Sequence, residues 1–138
     1  MNKKIAPLLA AIAILTVTLA CSLFSNEMSL TNLRMAFDSD GANPTSVYST
    51  TDVFFVVGDL ANAPAGTVVE ARWLAVQIEG YAAGESIYEQ TINDFTEDNF
   101  GGTIYFQLSN DSGWTPGEYK VDIYLNGNFV QSIPFSVQ

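Results

Sequence analysis

The sequence predicts an all-β protein, an antiparallel β-sandwich of about seven strands. Beyond Cys21 the apolar residues recur at every second position, as they do in half-buried strands. Turn-forming residues separate these stretches roughly every ten to fifteen positions, a spacing typical of sandwiches. No stretch after Cys21 shows the period of an amphipathic helix, and no segment repeats.

Each predicted strand follows from its own pattern. In the longest one, alternation places Trp73 on the inner face and Arg72 on the outer face. The pair Gly58-Asp59 is expected to end the second strand, and Pro134 is expected to point outward from an edge strand or a strand end. The predicted strands cover residues 30–37, 51–57, 67–78, 86–92, 103–108, 118–125 and 129–137.

The last two strands are predicted to form a hairpin around Asn126-Gly127, the strongest turn signal in the chain. A two-residue loop and a three-residue loop give registers that differ by one residue, which reverses the face of every side chain. We prefer the three-residue loop, because it pairs Tyr119 with Phe135 and Val121 with Ile133 on the buried face.

The first 21 residues have the pattern of an export signal. Two lysines, Lys3 and Lys4, precede the apolar run 5–20, and Thr18-Leu19-Ala20-Cys21 places a small residue directly before the only cysteine. This resembles the lipobox of bacterial lipoproteins, although Thr18 stands where that family usually has leucine. The resemblance implies that Cys21 is lipidated, becomes the new N-terminus and anchors the protein to a membrane at the cell envelope, on its extracytoplasmic side.

Two alternatives to the lipoprotein signal stay open. A membrane-spanning helix needs roughly 20 apolar residues, and the run here is shorter. An ordinary secretory signal would leave Cys21 as a free thiol. In the lipoprotein interpretation residues 1–20 are the signal, 21–28 are the lipidated cysteine with a short tether, and 29–138 are the sandwich domain.

The charge of the chain excludes several partners. The formal net charge is −10, and removing residues 1–20 leaves three strong cations against 15 carboxylates, a charge of −12. Nucleic-acid binding requires a basic surface, which three scattered cations do not form. An anionic membrane surface would repel such a domain. The acidity is typical of a soluble surface.

The stretch from Trp114 to Ile123, with Tyr119 in its middle, resembles the E–F corner and strand F of immunoglobulin-like and fibronectin-III-like domains. In those families a tyrosine near the start of strand F bonds back to nearby backbone. Trp73 matches the buried tryptophan of strand C, and Val121 stands where antibody domains have their second cysteine. The resemblance implies an immunoglobulin-like sandwich without the inter-sheet disulfide, and it says nothing of function.

The residue types present give little support to catalysis. The chain has no histidine, which excludes triads of the Ser-His or Cys-His kind, and no sequence feature fixes two carboxylates in a cleft. We therefore expect a non-enzymatic protein that needs no cofactor. A weak calcium site is predicted at Asp38, Asp40 and Asn43, because calcium binds oxygen ligands in glycine-kinked loops. Ordinary turn chemistry explains the same residues.

The expected function is protein binding or assembly, with an envelope protein of unknown identity as partner and no nucleic acid. The outward face of the third, sixth and seventh predicted strands is unusually apolar for a wet surface, which favours an interaction site. An ordinary β-face with a preference for β-branched residues is the alternative. A module that binds carbohydrate or calcium is the second functional hypothesis. The candidate binding face comprises Arg72, Leu74, Tyr124 and Val130.

Overall fold

The computed structural model describes residues 26–138, which form eight strands in two sheets, with no helix in this part of the chain. The predicted all-β class is confirmed, and the two-sheet arrangement is consistent with a sandwich. Cys21 and the signal lie outside the described residues, so lipidation stays a prediction. The strands are β1 (Ser29–Ala36), β2 (Val47–Tyr48), β3 (Phe54–Ala63), β4 (Val69–Ile78), β5 (Ser86–Ile92), β6 (Phe100–Leu108), β7 (Gly117–Leu125) and β8 (Asn128–Val137).

One sheet has three strands in the order β1-β3-β6, and the other has five in the order β2-β8-β7-β4-β5. All pairs are antiparallel except β2 with β8, which is parallel. Strand β2 was not predicted, because two residues are too short to show a period. Most of β8 has no neighbour beyond β7, since β2 reaches only Ser136 and Val137. Pro134 is exposed on this open stretch, as predicted.

The prediction that Gly58-Asp59 ends the second strand is wrong. Strand β3 continues to Ala63, and Gly58 inside it leaves room for the Leu33 side chain, since a Cβ there would lie 2.6 Å from a methyl carbon of Leu33. The Asp59 carboxylate is also used, since it accepts hydrogen bonds from Asn32 (2.9 Å) and Thr103 (3.2 Å). Glycine here permits the close approach of a neighbouring side chain rather than a turn.

Strand β1 departs from strict alternation because it contains a bulge between Thr31 and Arg34, where Asn32 has a positive φ of 53°. The bulge changes which side chains face the core. Met35 is buried, whereas Phe37, predicted as an apolar member of this strand, lies beyond its end and is half exposed.

The hairpin has the predicted register but a different turn. Tyr119 pairs with Phe135 and Val121 with Ile133, as predicted. The loop, however, has only the two residues Asn126-Gly127, because Leu125 already pairs with Asn128. A bulge at Val130 supplies the extra residue that restores the register. Both turn residues have positive φ, 50° and 80°, as a type I′ turn requires.

The core is aromatic and lies between the sheets. Trp73 is buried as predicted, and Phe54 stacks on Trp114 with ring centroids 4.4 Å apart. The Trp114 indole donates to the Asp52 carbonyl at 2.9 Å, so this side chain closes the edge of the core. The Tyr119 hydroxyl donates to the Thr115 carbonyl at 2.6 Å, the local back-bond that the sequence predicted.

Strand directions define two ends of the sandwich. The end that we call the tether pole holds residues 26–28 and the connections 64–68, 93–99 and 126–127. Hydrogen bonds join these segments: Asn62 donates to the Glu27 carbonyl at 3.2 Å, and the Val68 N–H donates to the Asn126 side chain at 2.8 Å. The described chain therefore enters the domain at the same end as the β7–β8 turn.

Candidate functional site

The outer face of the five-stranded sheet carries the predicted binding residues. On β4 and β7 the cross-strand pairs of this face are Glu70 with Tyr124, Arg72 with Asp122 and Leu74 with Lys120. The alternate residues Trp73 and Val121 are buried between the sheets. Strands β4 and β7 are therefore adjacent, and Arg72, Leu74 and Tyr124 point away from the core.

An aromatic patch, which we define as Arg72, Tyr124 and Phe129, is the main feature of this face. The Arg72 guanidinium carbon lies 4.2 Å from the centroid of the Tyr124 ring, a cation–π contact. Phe129 meets the same ring edge to face, with centroids 5.7 Å apart. Phe129 is 58% exposed, the highest value among the large exposed apolar side chains. Arg72 and Tyr124, which are in contact, thus lie beside the exposed ring of Phe129.

Phe129 was not among the predicted residues of the binding face, because the predicted hairpin had a three-residue loop. That loop would place Val130 opposite Tyr124, whereas the two-residue turn places Phe129 there. Val130 becomes the bulge residue and is half-buried. The type I′ preference of Asn126-Gly127 could have revealed this, since it favours a two-residue loop.

Leu74 does not belong to the aromatic patch. It pairs with Lys120, whereas Tyr124 pairs with Glu70, four residues away on β4. At about 3.3 Å per residue this separates Leu74 from Tyr124 by roughly 13 Å. Leu74 and Tyr124, both assigned to the candidate binding face, therefore lie on the same face without contact, and Leu74 is half-buried.

Ion pairs on this face run along the strands rather than across them. Arg72 lies 3.9 Å from Glu70, and Lys120 lies 3.4 Å from Asp122. Asp122 is only 8% exposed, and one of its carboxylate oxygens has no hydrogen-bond partner. A buried carboxylate of this kind depends strongly on its neighbouring cation.

The predicted calcium loop lies at the opposite end from the tether pole. The Asp38 carboxylate accepts hydrogen bonds from the backbone and side chain of Asn43, and these bonds lower the Asp38 pKa. The Arg34 guanidinium donates to the carbonyls of Asp40 and Gly41, both at 3.1 Å. These contacts are those of a turn whose own side chains satisfy its backbone, and the Arg34 guanidinium already occupies its carbonyl oxygens. Within residues 26–138 no three acidic, histidine or cysteine side chains group as metal ligands, and calcium here remains a prediction.

Two grooves open on the side of the sandwich where β5 and β6 form the sheet edges. The first, of about 390 Å³, lies toward the tether pole and is lined by Ile92, Asp94, Phe95, Thr96, Glu97, Phe100, Thr103, Ile104 and Tyr105. The second, of about 430 Å³, is lined by Ile87, Tyr88, Gln90, Gln107, Leu108, Ser109, Asn110 and Trp114. Between them Gln90 accepts from the Trp73 indole at 2.9 Å and donates to the Gln107 carbonyl at 2.8 Å.

The second groove brings together two aromatic side chains, Tyr88 and Trp114. Tyr88 is 52% exposed, whereas Trp114 is largely buried. Tyr105 and Tyr124 lie on different sheets and share no surface. In the described chain we find no helix long and apolar enough to cross a membrane.

No protein-family model matches the chain, and no curated protein matches its sequence. Solved structures do share its fold. The alkylpurine DNA glycosylase AlkC of Pseudomonas fluorescens matches 81% of this chain with 16% identity and a TM-score of 0.52. A β-glucosidase from Listeria innocua matches 81% with 13% identity and a TM-score of 0.52. The β-glucosidase EmGH1 from Erythrobacter marinus matches 81% with 16% identity and a TM-score of 0.53.

These likenesses concern the fold alone. The chain spans 30% of the glycosylase and 16% and 15% of the two β-glucosidases. Identities this low, over so small a part of each enzyme, carry no activity or substrate to this chain.

Proposed function

We propose that this chain is a bacterial lipoprotein, anchored to a membrane through Cys21, that displays an immunoglobulin-like sandwich as a non-enzymatic protein-binding module at the cell envelope. The anchor is proposed from the sequence of residues 1–21. The immunoglobulin-like assignment draws on the Tyr119 back-bond and on Trp73 at the centre of the core. The binding role draws on the aromatic patch.

The exposure of Phe129 beside the Arg72–Tyr124 cation–π pair is the observation that carries the binding role. Binding hot spots are enriched in tyrosine, tryptophan and arginine, and they work best when neighbours exclude water. Arg72 is already held against Tyr124 and near Glu70, so little side-chain entropy would be lost when a partner covers it. The exposed ring of Phe129 supplies apolar surface that a bound partner would bury.

The position of the patch fits a partner near the membrane. Tyr124 and Phe129 flank the β7–β8 turn, which belongs to the tether pole. A tether covering residues 22–28 reaches at most about 25 Å when extended. A lipidated Cys21 would therefore hold the aromatic patch close to the bilayer, within reach of other envelope proteins.

The test is site-specific photo-crosslinking in the native envelope. A benzophenone amino acid replaces Phe129 in one variant and Tyr81 in a control, because Tyr81 is also exposed but lies at the opposite end of the sandwich. We expect one discrete crosslinked protein from position 129 and none from position 81. Tyr124→Ser should reduce the yield at position 129 severalfold, and Leu74→Ser should not, since Leu74 lies outside the aromatic patch. Equal yields at both positions would contradict the proposed face.

A second candidate function, carbohydrate binding, is favoured by the groove at Tyr88. Sugars are bound by an aromatic surface together with side-chain amides, and Gln90, Gln107 and Asn110 line this groove. Tyr88→Ala would abolish binding to an immobilised glycan while leaving the Phe129 crosslink intact, so one variant separates the two functions.

A further inference from the structure

Strand β6 is an unprotected sheet edge. Edge strands are usually kept from pairing with other chains by shortness, charge, proline or an inserted residue. β2 has only two residues, β1 carries a bulge and Arg34, and β5 carries an extra residue and Glu89. β6 is nine residues long with neither charge nor proline, and the irregularity in its pairing adds one residue to β3 instead. The open stretch of β8 carries the exposed Pro134. Among the described strands, β6 is therefore the one open edge without such a device.

The backbone groups at this edge can be assigned by alternation. In an antiparallel pair every second residue directs its N–H and C=O away from the neighbouring strand. The Gln107 carbonyl points away from β3, because it accepts the hydrogen bond from Gln90. Thr103 and Tyr105 have the same parity, so their backbone donors and acceptors also face the open side. An added strand would use the backbone groups of Thr103 and Tyr105, since the Gln107 carbonyl already accepts from Gln90.

The glycines of β6 are not required by packing within the domain. A Cβ at Gly101 would meet nothing nearer than a backbone oxygen at 3.9 Å, and one at Gly102 would be in ordinary contact with the Phe100 ring. Neither glycine has a positive φ. Glycine weakens a strand, and inside one it often marks a place where another backbone approaches closely.

The first groove lies beside this edge and sets the chemistry of what could occupy it. Its floor is apolar, formed by Phe95, Phe100 and Ile104, and its outer wall carries the exposed carboxylates of Asp94 and Glu97. No lysine or arginine lines it. A chain that added to β6 would therefore place alternate apolar side chains on this floor and meet a negative wall.

We infer that β6 and the adjoining groove form a second interaction site, which takes an extended cationic polypeptide segment by strand addition. This site is on the three-stranded sheet and is independent of the aromatic patch. Charge selects the occupant: Lys or Arg side chains of the segment would pair with Asp94 and Glu97. A second copy of this chain is the less favoured occupant, because each domain carries a large negative charge that opposes self-association.

The test uses isotope-labelled protein comprising residues 22–138 and an acetylated eight-residue peptide of alternating lysine and valine. We expect the peptide to shift the amide resonances of Thr103 and Tyr105 and to slow their hydrogen exchange at least tenfold. A peptide of alternating glutamate and valine should not bind. The lysine–valine peptide methylated at every backbone nitrogen should also fail, because it keeps its charge but has no donors.

Protein variants locate the site. Asp94→Asn with Glu97→Gln should weaken binding severalfold, whereas Glu79→Gln with Asp111→Asn, which removes two exposed carboxylates at the far pole, should not. Tyr105→Lys places a like charge on the edge and should abolish binding without altering the core. Equal binding of the methylated peptide, or shifts confined to the five-stranded sheet, would overturn the proposal. So would self-association through β6 in the absence of peptide, because the occupant would then be a second copy.

Discussion

Tyr48 shows how a single residue secures the shortest strand of the fold. It is 2% exposed, its ring packs against Phe54 and Phe135, and its hydroxyl donates to the Ala36 carbonyl at 2.6 Å. This side chain therefore joins β2 and β8 of one sheet to β1 of the other. Burial raises the pKa of the Tyr48 hydroxyl well above its usual value of 10.0.

Tyr48→Phe should give a pH-dependent loss of stability. At neutral pH the variant loses the buried hydrogen bond from the Tyr48 hydroxyl to the Ala36 carbonyl, which should cost about 0.5–1.5 kcal/mol. Above pH 10 Tyr48 ionises in the unfolded wild-type chain, which lowers the free energy of the unfolded state. The folded state keeps the proton, so the stability that Tyr48 contributes to the wild-type protein falls as the pH rises. We expect the difference between the two proteins to narrow by about 1 kcal/mol between pH 9 and pH 11.

Urea unfolding across this pH range measures the effect. The other tyrosines are present in both proteins and cancel in the difference. A constant difference would show that the Tyr48 hydroxyl ionises as readily in the folded protein as in the unfolded chain.

Among the elements, the β7–β8 hairpin determines the aromatic patch. The two-residue turn brings Phe129 opposite Tyr124, and the bulge at Val130 then restores the register that buries Ile133. Both features are needed, because a turn without the bulge would move the apolar residues of β8 to the solvent face. The hairpin therefore serves the core and the outer face together.

Gly127→Ala tests the turn through backbone conformation alone. Gly127 has φ of 80° with no atom within 4 Å of an added Cβ, so any loss comes from the left-handed conformation. We expect a loss of about 1–2 kcal/mol in thermal or urea unfolding. Gly101→Ala is the matched control, because its backbone is not left-handed and it should be neutral or slightly stabilising. Equal losses would show that the turn does not limit stability.

The sequence predicted the strands better than the turns and bulges that set their register. Alternation located seven of the eight strands, and it placed Trp73 and Val121 in the core, because burial on one face imposes a period of two. The bulges could not be predicted, because one inserted residue reverses the faces of the side chains that follow it without a recognisable change in amino-acid composition. The aromatic patch was therefore only half predicted: Arg72 and Tyr124 follow from alternation, whereas Phe129 depends on the bulge.

On the scale of the whole molecule, the negative charge of the domain opposes its adsorption to an anionic membrane. The tether pole carries Glu27, Asp94, Glu97 and Asp98, with no lysine or arginine in its connections. An anionic bilayer would repel this end over roughly a Debye length, about 8 Å at physiological salt. Attachment would therefore depend on the proposed lipid at Cys21, which makes that residue the decisive one for location.

Cys21→Ser should release the protein from the membrane fraction or leave an uncleaved precursor. The melting temperature of the domain should not change, because position 21 precedes the described residues 26–138. Ser22→Ala is the matched control and should stay membrane-bound. Since Cys21 is the only cysteine, maleimide labelling of denatured wild-type protein gives a second readout: a lipidated sulfur does not react, whereas the free thiol left by an ordinary secretory signal does. A labelled wild-type protein, or a Cys21→Ser protein that remains membrane-held, would contradict the lipid anchor and leave the domain as a secreted module.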